Sequence, residues 1–358
     1  MQHEVTMRQR LLDSSGIVTE PGWARHPVWI YDRRDIRQMP LRIKEWDYYL
    51  VMKEDFAVAF TISDLGYTGM VSVSLIDLQG GSKLLRLPQD QMIRPREHTE
   101  TVITPFPMGR MGLGAVSSSG TVDFNNGKVH IRFYAQPGHR RIRCVFADFL
   151  DGKTLKADLK MLQPEAESMC IATPWAEDEK AFYYNQKINC MPVKGSVTLG
   201  DETLDFHPSR DMAVLDWGRG VWTYDNRWYW GTCSTLINGI PFGFNLGYGF
   251  SDRSSASENT LYYDGKIHKL ENVAFQIQDT EDGQRDYMAP WTITSSDSRF
   301  EAVFMPIIDR KAKIDLKLAS SDQHQVFGLI TGTAILDDGT EIKMRDLIAA
   351  LEVVHNRY

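Results

Sequence analysis

Alternating hydrophobic and polar residues, separated by turn-forming dipeptides, recur along the whole chain. The alternation is clearest in ValAspPhe and LysValHisIleArgPhe, within 122–133, and in ThrAlaIleLeu and ThrGluIleLys, within 333–343. The dipeptides between such segments tolerate the positive φ angles that tight hairpins require. They are Gly80-Gly81, Asn126-Gly127, Asp151-Gly152, Asn238-Gly239, Asp264-Gly265, Asp282-Gly283 and Asp338-Gly339. This pattern predicts an all-β protein built from antiparallel sandwiches or barrels.

Helical periodicity is scarce in this sequence. Its best example is 345–356, where Leu347, Leu351 and Val354 recur at helical spacing, and a segment before Pro40 is weaker. We therefore expect few, short helices.

The length of 358 residues is enough for about two domains with separate cores. The most plausible boundary lies near 163–180, which is polar, acidic and twice interrupted by proline. We predict an N-terminal domain over 1–178 and a C-terminal domain over 179–358.

Four of the nine tryptophans fall between positions 217 and 230, directly before a glycine-rich segment at 231–250. If Asn238-Gly239 forms a two-residue type I′ turn, Ile237 faces Ile240 and the register of the hairpin follows. One face then pairs indoles with glycines and also carries Ser234, Thr232 and Asn245. The opposite face is apolar and is formed by Tyr229, Cys233, Phe242, Phe244, Leu246 and Tyr248.

Two interpretations of the tryptophan and glycine face remain open. Large indoles can fill the space above strand glycines and stabilise them, which is a structural role. Alternatively, the glycines leave space in a barrel interior, where Trp, Thr and Asn side chains line a ligand cavity.

Asp216 stands between Leu215 and Trp217 and is the candidate catalytic residue. A carboxyl group among apolar groups is desolvated, holds its proton more tightly and could act as a general acid. The alternative is a buried ion pair with Arg219 or Arg227.

Composition and motif content argue against several classes of function. The net charge of −7 and the lack of a long basic run disfavour nucleic-acid binding. There is no zinc-binding spacing of His or Cys, no G-x-S-x-G and no dinucleotide-binding glycine motif, so we expect no metal and no cofactor. Without a signal-like segment or an apolar run of about 18 residues, we expect a cytoplasmic protein with no integral membrane segment and four reduced cysteines.

Several segments resemble an uncharacterised bacterial family, domain of unknown function 2804. They are LysIleAsnCysMetProValLysGly (187–195), AspTrpGlyArgGlyValTrp (216–222), GlyPheAsnLeuGlyTyrGly (243–249), SerGluAsnThr (257–260), TrpAspTyrTyr (46–49), AspLeuGlyTyr (64–67) and ValPheGlyLeuIleThrGly (326–332). That family is in turn similar to tandem lipocalin-like proteins, which include carotenoid 1,2-hydratases and tocopherol cyclases. The resemblance implies two antiparallel, calycin-type β-barrels in tandem, with an apolar cavity.

Three functional hypotheses follow. In the first, the protein binds a hydrophobic small molecule, a lipid or an isoprenoid, in a barrel cavity. In the second, it is an isoprenoid hydratase or cyclase in which Asp216 protonates an alkene and indole faces stabilise the cation. In the third, it is a structural or interaction module whose barrel is filled. The candidate ligand-binding residues are Trp217, Arg219, Trp222, Trp228, Trp230, Thr232, Asn245, Tyr248, Glu258 and Asn259.

Overall fold

The computed structural model describes residues 2–85, 93–105, 112–316 and 319–357. Strands account for 64% of the chain, and the described segments contain no α-helix, so the all-β prediction is confirmed. Two 3₁₀ turns, Arg33–Asp35 and Pro40–Arg42, are the short helical elements found. No helix in these segments is long and apolar enough to cross a membrane.

Thirteen strands form the first antiparallel sheet. They are β2 (Gly22–Ala24), β4 (Ile43–Met52), β5 (Phe56–Asp64), β6 (Gly69–Asp77), β7 (Arg96–Thr104), β8 (Gly120–Asn125), β9 (Val129–Gln136), β10 (His139–Leu150), β11 (Lys153–Leu162), β12 (Met169–Trp175), β13 (Asp178–Leu199), β14 (Glu202–Phe206) and β15 (Met212–Val221). The main path runs β7-β6-β5-β4-β15-β13-β11-β10-β9-β8, and the small strands β1 (Gln9–Arg10) and β3 (Trp29–Ile30) pair separately.

Nine strands form the second antiparallel sheet. They are β16 (Asp225–Ile237), β17 (Ile240–Tyr248), β18 (Thr260–Tyr263), β19 (Lys266–Lys269), β20 (Val273–Gln276), β21 (Trp291–Ser295), β22 (Phe300–Leu316), β23 (Ala319–Ile335) and β24 (Glu341–Arg357). Their order is β19-β18-β17-β16-β24-β23-β22-β21-β20.

Both sheets curl into half-barrels, and each encloses its own apolar core. A third apolar cluster lies where the outer faces of the two sheets meet. There Tyr48 and Leu50 of β4 and Val214 of β15 pack against Trp230, Phe327 and Ala350 of the second sheet. The junction is therefore a packed interface between the half-barrels.

The register predicted from Asn238-Gly239 is confirmed from the turn outward. Ile237 pairs with Ile240, Thr232 with Asn245 and Trp230 with Gly247. Both turn residues have positive φ, 52° and 80°, as a type I′ turn requires. The indole and glycine face therefore points toward the first sheet, and the apolar face forms part of the second core.

The helical spacing noted at 345–356 is wrong as a guide to structure, because Glu341–Arg357 is a strand. Residues 349–354 are buried on both faces of that strand. Ala350 contacts the junction cluster, whereas Ala349 and Leu351 lie in the second core. A strand buried on both faces loses its alternation, so apolar residues match a helical spacing by coincidence.

The chain passes from the first sheet to the second between Val221 and Asp225. Strands β13 and β15, which follow position 178, both belong to the first sheet. The division into domains at 178/179 stays a prediction, because membership of a sheet does not by itself define a folding unit.

Candidate functional site

Strand β15 divides the AspTrpGlyArgGly box between two faces. Trp217 and Arg219 point into the first half-barrel, where the Arg219 guanidinium lies 4.1 Å from the Trp217 ring centre and donates to Asp47 Oδ1 at 2.9 Å. Asp216 points the other way, toward the second sheet. The alternation of a strand therefore separates residues that are adjacent in sequence.

Asp216 is held by three donors from the first sheet. Its Oδ2 lies 2.6 Å from Lys187 Nζ, on the paired strand β13. Its Oδ1 accepts from Asn185 Nδ2 at 2.7 Å and from Trp46 Nε1 at 3.0 Å. The predicted alternative to catalysis, a buried ion pair, is present, but its partner is Lys187. Arg219 pairs with Asp47 instead, and the Arg227 guanidinium lies beside His355.

Gly218 makes the contact between Trp46 and Asp216 possible. A Cβ atom at Gly218 would overlap the six-membered ring of the Trp46 indole. The bare backbone lets this indole lie across β15, so its N–H reaches the carboxylate two residues away. The glycine between Trp217 and Arg219 thus has a steric role in the site.

Glu258 approaches the same lysine from the second half of the chain. Its Oε1 is 3.9 Å from Lys187 Nζ, and its Oε2 accepts from Tyr183 Oη at 2.8 Å. The side chain occupies the space beside Gly247, where a Cβ atom would overlap it. Burial raises the pKa of Glu258, while the nearby Lys187 ammonium acts in the opposite direction. Burial therefore favours the protonated form of Glu258.

The loop that carries Glu258 is fixed by hydrogen bonds to its backbone. Lys269 Nζ donates to the carbonyls of Ser257 and Asn259, at 2.5 and 2.9 Å. Asn259 Oδ1 accepts from the amide of Gly247 at 2.7 Å. Burial lowers the pKa of Lys269 to about 7. Asn259 is fully buried and holds the loop in place.

Trp230 and Asn245 form the wall of this group on the second sheet. Trp230 Nε1 donates to Asn245 Oδ1 at 2.8 Å, and Asn245 Nδ2 donates to the Glu258 carbonyl at 3.0 Å. Lys187 Nζ lies 5.1 Å from the centre of the Trp230 ring, within the range of a cation–π contact. The polar cluster therefore spans both sheets.

A bulge in β13 ties the two sheets together next to this cluster. Cys190 has φ of 59°, and the register with β15 shifts between Ile188 and Met191. The bulge directs Asn189 Nδ2 toward Thr232 Oγ1, at 2.9 Å, and toward the carbonyls of Cys233 and Phe244, both at 3.0 Å. Thr232 is fully buried and serves this contact.

An aromatic cluster extends from Asp216 to the surface along the junction. It consists of Trp46, Trp175, Tyr183, Trp222, Trp228 and Phe250, with neighbouring ring centres 4.6–6.2 Å apart. Trp46 and Trp228 are half-buried, and Trp228 Nε1 donates to Glu352 Oε1 at 2.6 Å. Trp175 and Phe250 also line a surface groove of about 350 Å³.

The predicted site residues thus separate into distinct regions. Asp216, Trp222, Trp228, Trp230, Asn245 and Glu258 come together at the junction, and Thr232 and Asn259 support them. Trp217 and Arg219 lie in the first half-barrel. Tyr248 lies in the second, stacked on Tyr229 with ring centres 4.5 Å apart, and burial raises its pKa to about 12.

Sequence reasoning missed three polar members of the cluster, Tyr183, Asn185 and Lys187. They alternate along β13, so all three point to one face. Polar side chains at every second position of an otherwise apolar strand were the sequence signal that could have identified these residues. Trp46, from the quoted TrpAspTyrTyr segment, was also missed as a site residue. Within the described ranges, no group of three or more His, Cys, Asp or Glu side chains is arranged to hold a metal ion.

Comparison with known proteins assigns the chain to a family. A family model described as Domain of unknown function (DUF2804) matches residues 2–358. The chain belongs to this family. A search of curated protein sequences yields no significant match.

Two solved structures are similar to this DUF2804 protein over nearly their whole length. Kievitone hydratase from Nectria haematococca is 11% identical, with a TM-score of 0.50 and 98% of each chain covered. A "putative AttH" from Nitrosomonas europaea is 12% identical, with a TM-score of 0.48 and coverage of 93% of this chain and 98% of that one. At 11% identity the likeness to kievitone hydratase concerns the fold alone, and with the two curled antiparallel sheets it confirms the expected tandem lipocalin-like architecture.

Proposed function

We propose that this DUF2804 protein binds a hydrophobic small molecule, of the lipid or isoprenoid class, at the junction of the two half-barrels. The observation that carries the proposal is the selective exposure of Asp216. Its side chain is 13% exposed, whereas the side chains of Lys187 and Glu258 are 3% and 1% exposed. Asp216 is therefore the charged group of the cluster that a molecule arriving from outside meets first.

The half-buried rings beside Asp216 supply the apolar part of this site. Trp46 donates directly to Asp216, and Trp228 packs edge-on against Trp222, with ring centres 5.3 Å apart. Indole rings bury a large apolar area, and the hydrogen bonds from the N–H groups of Trp46 and Trp228 to Asp216 and Glu352 hold these two rings in place. An apolar molecule with one polar end, seated against these rings with that end at Asp216, suits the arrangement.

The inner face of the second half-barrel is a less suitable place for this ligand. Phe242, Phe244, Trp291 and Phe304 are fully buried there and pack against one another. Trp230 and Asn245 face the first sheet, so they belong to the junction. The proposal therefore differs from a ligand carried inside the second barrel.

The test combines extraction with titration of a defined probe. Solvent extracts of the purified protein are examined by mass spectrometry, and binding of farnesol is followed by quenching of tryptophan fluorescence. We expect a co-purifying apolar molecule and saturable quenching. Trp228→Ala should weaken farnesol binding about tenfold, which corresponds to about 1.4 kcal/mol.

Tyr287→Ala is the matched control, because Tyr287 is a half-buried aromatic residue stacked on His324 in the second half-barrel. It should leave farnesol binding unchanged. A protein that contains no co-purifying molecule and shows no saturable quenching would contradict the proposal and favour a structural or interaction module. Equal effects of Trp228→Ala and Tyr287→Ala on farnesol binding would lead to the same conclusion.

A second candidate function is acid–base chemistry on the bound molecule, as in a hydratase or cyclase. Two carboxyl groups, Asp216 and Glu258, share the Lys187 ammonium, and burial raises the pKa of Glu258. In a hydration, a proton would pass from Lys187 through Asp216 to an alkene carbon, water would add to the cation, and the proton of that water would return to the cluster. The hydratase name of one structural neighbour agrees with this chemistry.

Deuterium incorporation separates catalysis from binding. The protein is incubated with farnesol in D₂O, and mass spectrometry measures exchange into the isoprenoid. We expect incorporation by the wild type and its loss in Asp216→Asn, with farnesol binding retained. Asp309→Asn, a change at a buried carboxyl paired with His324, is the control. Absence of incorporation by the wild type would rule out this candidate, and unchanged incorporation in Asp216→Asn would remove Asp216 from it.

A further inference from the structure

The interior of the first half-barrel contains a cavity that is separate from the junction site. Its volume is about 190 Å³. The curl of the first sheet forms its inner wall, because Asp47 and Tyr49 of β4 and Phe133 and Arg140 of β9 and β10 all line it, and the exposed residues 114–116 and 119–121 lie at its open side. Asp47 lies on the face of β4 opposite Trp46 and Tyr48, so the sheet separates this cavity from Asp216.

Arg140 is the unusual residue in this cavity wall. Its side chain is among the largest fully buried ones, and the residue is 2% exposed. Nε donates to Gln163 Oε1 at 2.8 Å and Nη1 to Tyr49 Oη at 3.3 Å, but Nη2 is buried without a hydrogen-bond partner. Within the described segments, no carboxylate lies within ion-pair distance of Arg140. A buried guanidinium with an unpartnered donor and no direct ion pair is unfavourable unless something else supplies an acceptor.

The other charged groups on this inner face already have partners. Asp47 Oδ1 accepts from Arg219 Nη2 at 2.9 Å, which compensates its charge. Glu45 pairs with Arg33 at 2.9 Å and accepts from the amide of Leu113 at 2.6 Å. Asp64 lies 3.4 Å from the same Arg33. Arg140 acts on Asp47 electrostatically but makes no direct ion pair, so its guanidinium is the one beside the cavity with a donor left unpartnered.

We propose that this cavity binds a small carboxylate with an apolar body, whose carboxylate pairs with Arg140. Guanidinium and carboxylate groups match in charge and shape, and the Nη2 donor that lacks a partner supplies the contact. Leu113, Val122 and Phe133 supply an apolar wall for the rest of the molecule. A dry cavity of about 150 Å³ accepts benzene, so this one is large enough for a molecule the size of benzoate.

Benzoate and its neutral analogue benzamide are the probes, with binding measured by isothermal titration calorimetry at neutral pH. We expect saturable benzoate binding, with benzamide at least about tenfold weaker because it lacks the charge. Arg140→Met should weaken benzoate binding at least about tenfold. Arg132→Met removes the same charge from the outer side of the neighbouring strand β9, where Arg132 pairs with Asp123, and should leave the affinity unchanged.

A cavity-filling variant keeps the test decisive if Arg140→Met does not fold. Ala135 lines the cavity opposite Arg140 in the β9–β10 pairing. Ala135→Leu should abolish benzoate binding while retaining Arg140, and Asp216→Asn should leave it intact because the two sites are separate. The proposal would be overturned if the wild type showed no saturable binding up to about 10 mM benzoate or bound benzoate and benzamide equally well. Full benzoate affinity in Arg140→Met or in Ala135→Leu would also overturn it.

Discussion

For the ion pair between Lys187 and Asp216, we predict that replacing Asp216 costs more unfolding free energy than replacing Lys187. Asp216→Asn leaves the Lys187 ammonium buried, with Glu258 Oε1 at 3.9 Å as its remaining counter-charge. Breaking a buried ion pair costs about 3–5 kcal/mol of unfolding free energy. At a pH above the raised pKa of Glu258 we expect a loss of about 3 kcal/mol, because the ionised Glu258 then compensates in part.

The reverse substitution should cost less. In Lys187→Met, the Asp216 carboxylate keeps the hydrogen bonds from Asn185 and Trp46, and its side chain is 13% exposed. We therefore expect a loss of about 1–2 kcal/mol. The double variant should lose less than the sum of the two, by a coupling energy of about 1–2 kcal/mol, because the second change removes a charge that the first left unpaired.

Urea unfolding followed by circular dichroism measures these free energies, and equal slopes would show that the variants unfold with the same cooperativity. Asp309→Asn is the control, since Asp309 pairs with His324 at 2.7 Å in the second sheet and should add independently to Lys187→Met. The reasoning would be refuted if Lys187→Met lost as much unfolding free energy as Asp216→Asn. Strictly additive losses of unfolding free energy in the double variant would also refute it.

Three further predictions concern packing, pH and thiol reactivity. Gly218→Ala should lower the free energy of unfolding by about 2 kcal/mol, because the added Cβ overlaps the Trp46 ring. Gly81→Ala is the control: no atom lies near the added Cβ, so the free energy measured by urea unfolding should change by less than about 0.5 kcal/mol. Burial raises the pKa of Glu258 above its ordinary value of 4.5, so its contribution to stability is present below that pH and is lost as the pH rises through the raised pKa. The wild type should therefore lose unfolding free energy relative to Glu258→Gln as the pH rises above 4.5, and parallel profiles would contradict this. Burial raises the pKa of all four thiols, those of Cys144, Cys170, Cys190 and Cys233, and the pKa of the first three is about 12. Because the thiolate is the reactive form, Ellman's reagent at neutral pH should label none of them rapidly in the folded protein and all four after unfolding.

Local turn chemistry is the part of this fold that the sequence predicts most reliably. A two-residue Asn-Gly loop leaves one favourable pairing for its strands, so the position of the dipeptide sets which residues oppose each other from Tyr229 to Tyr248. The same reasoning predicts which face of the hairpin carries the indoles. It does not predict what that face contacts, because the contact is with another sheet.

The functional clusters depend on contacts between distant segments. Trp46 and Asp216 are 170 positions apart, and Arg140 and Tyr49 are 91 apart. The curl of the sheets brings these side chains together, and sequence alternation alone does not determine that curl. Strand β24 illustrates the same limit, because burial on both faces removed the alternation by which a strand is recognised.

The sequence by itself therefore determined the all-β class, the Asn238-Gly239 turn with the register of its hairpin, and the family. Tertiary structure decided that Asp216 pairs with Lys187 and not with Arg219, and that Glu258 reaches the same lysine. It also decided that the AspTrpGlyArgGly box places Asp216 at the junction and Trp217 and Arg219 inside the first half-barrel. The physical reason is that turns and alternation are properties of neighbouring residues, whereas charge pairing and burial arise only when remote strands pack.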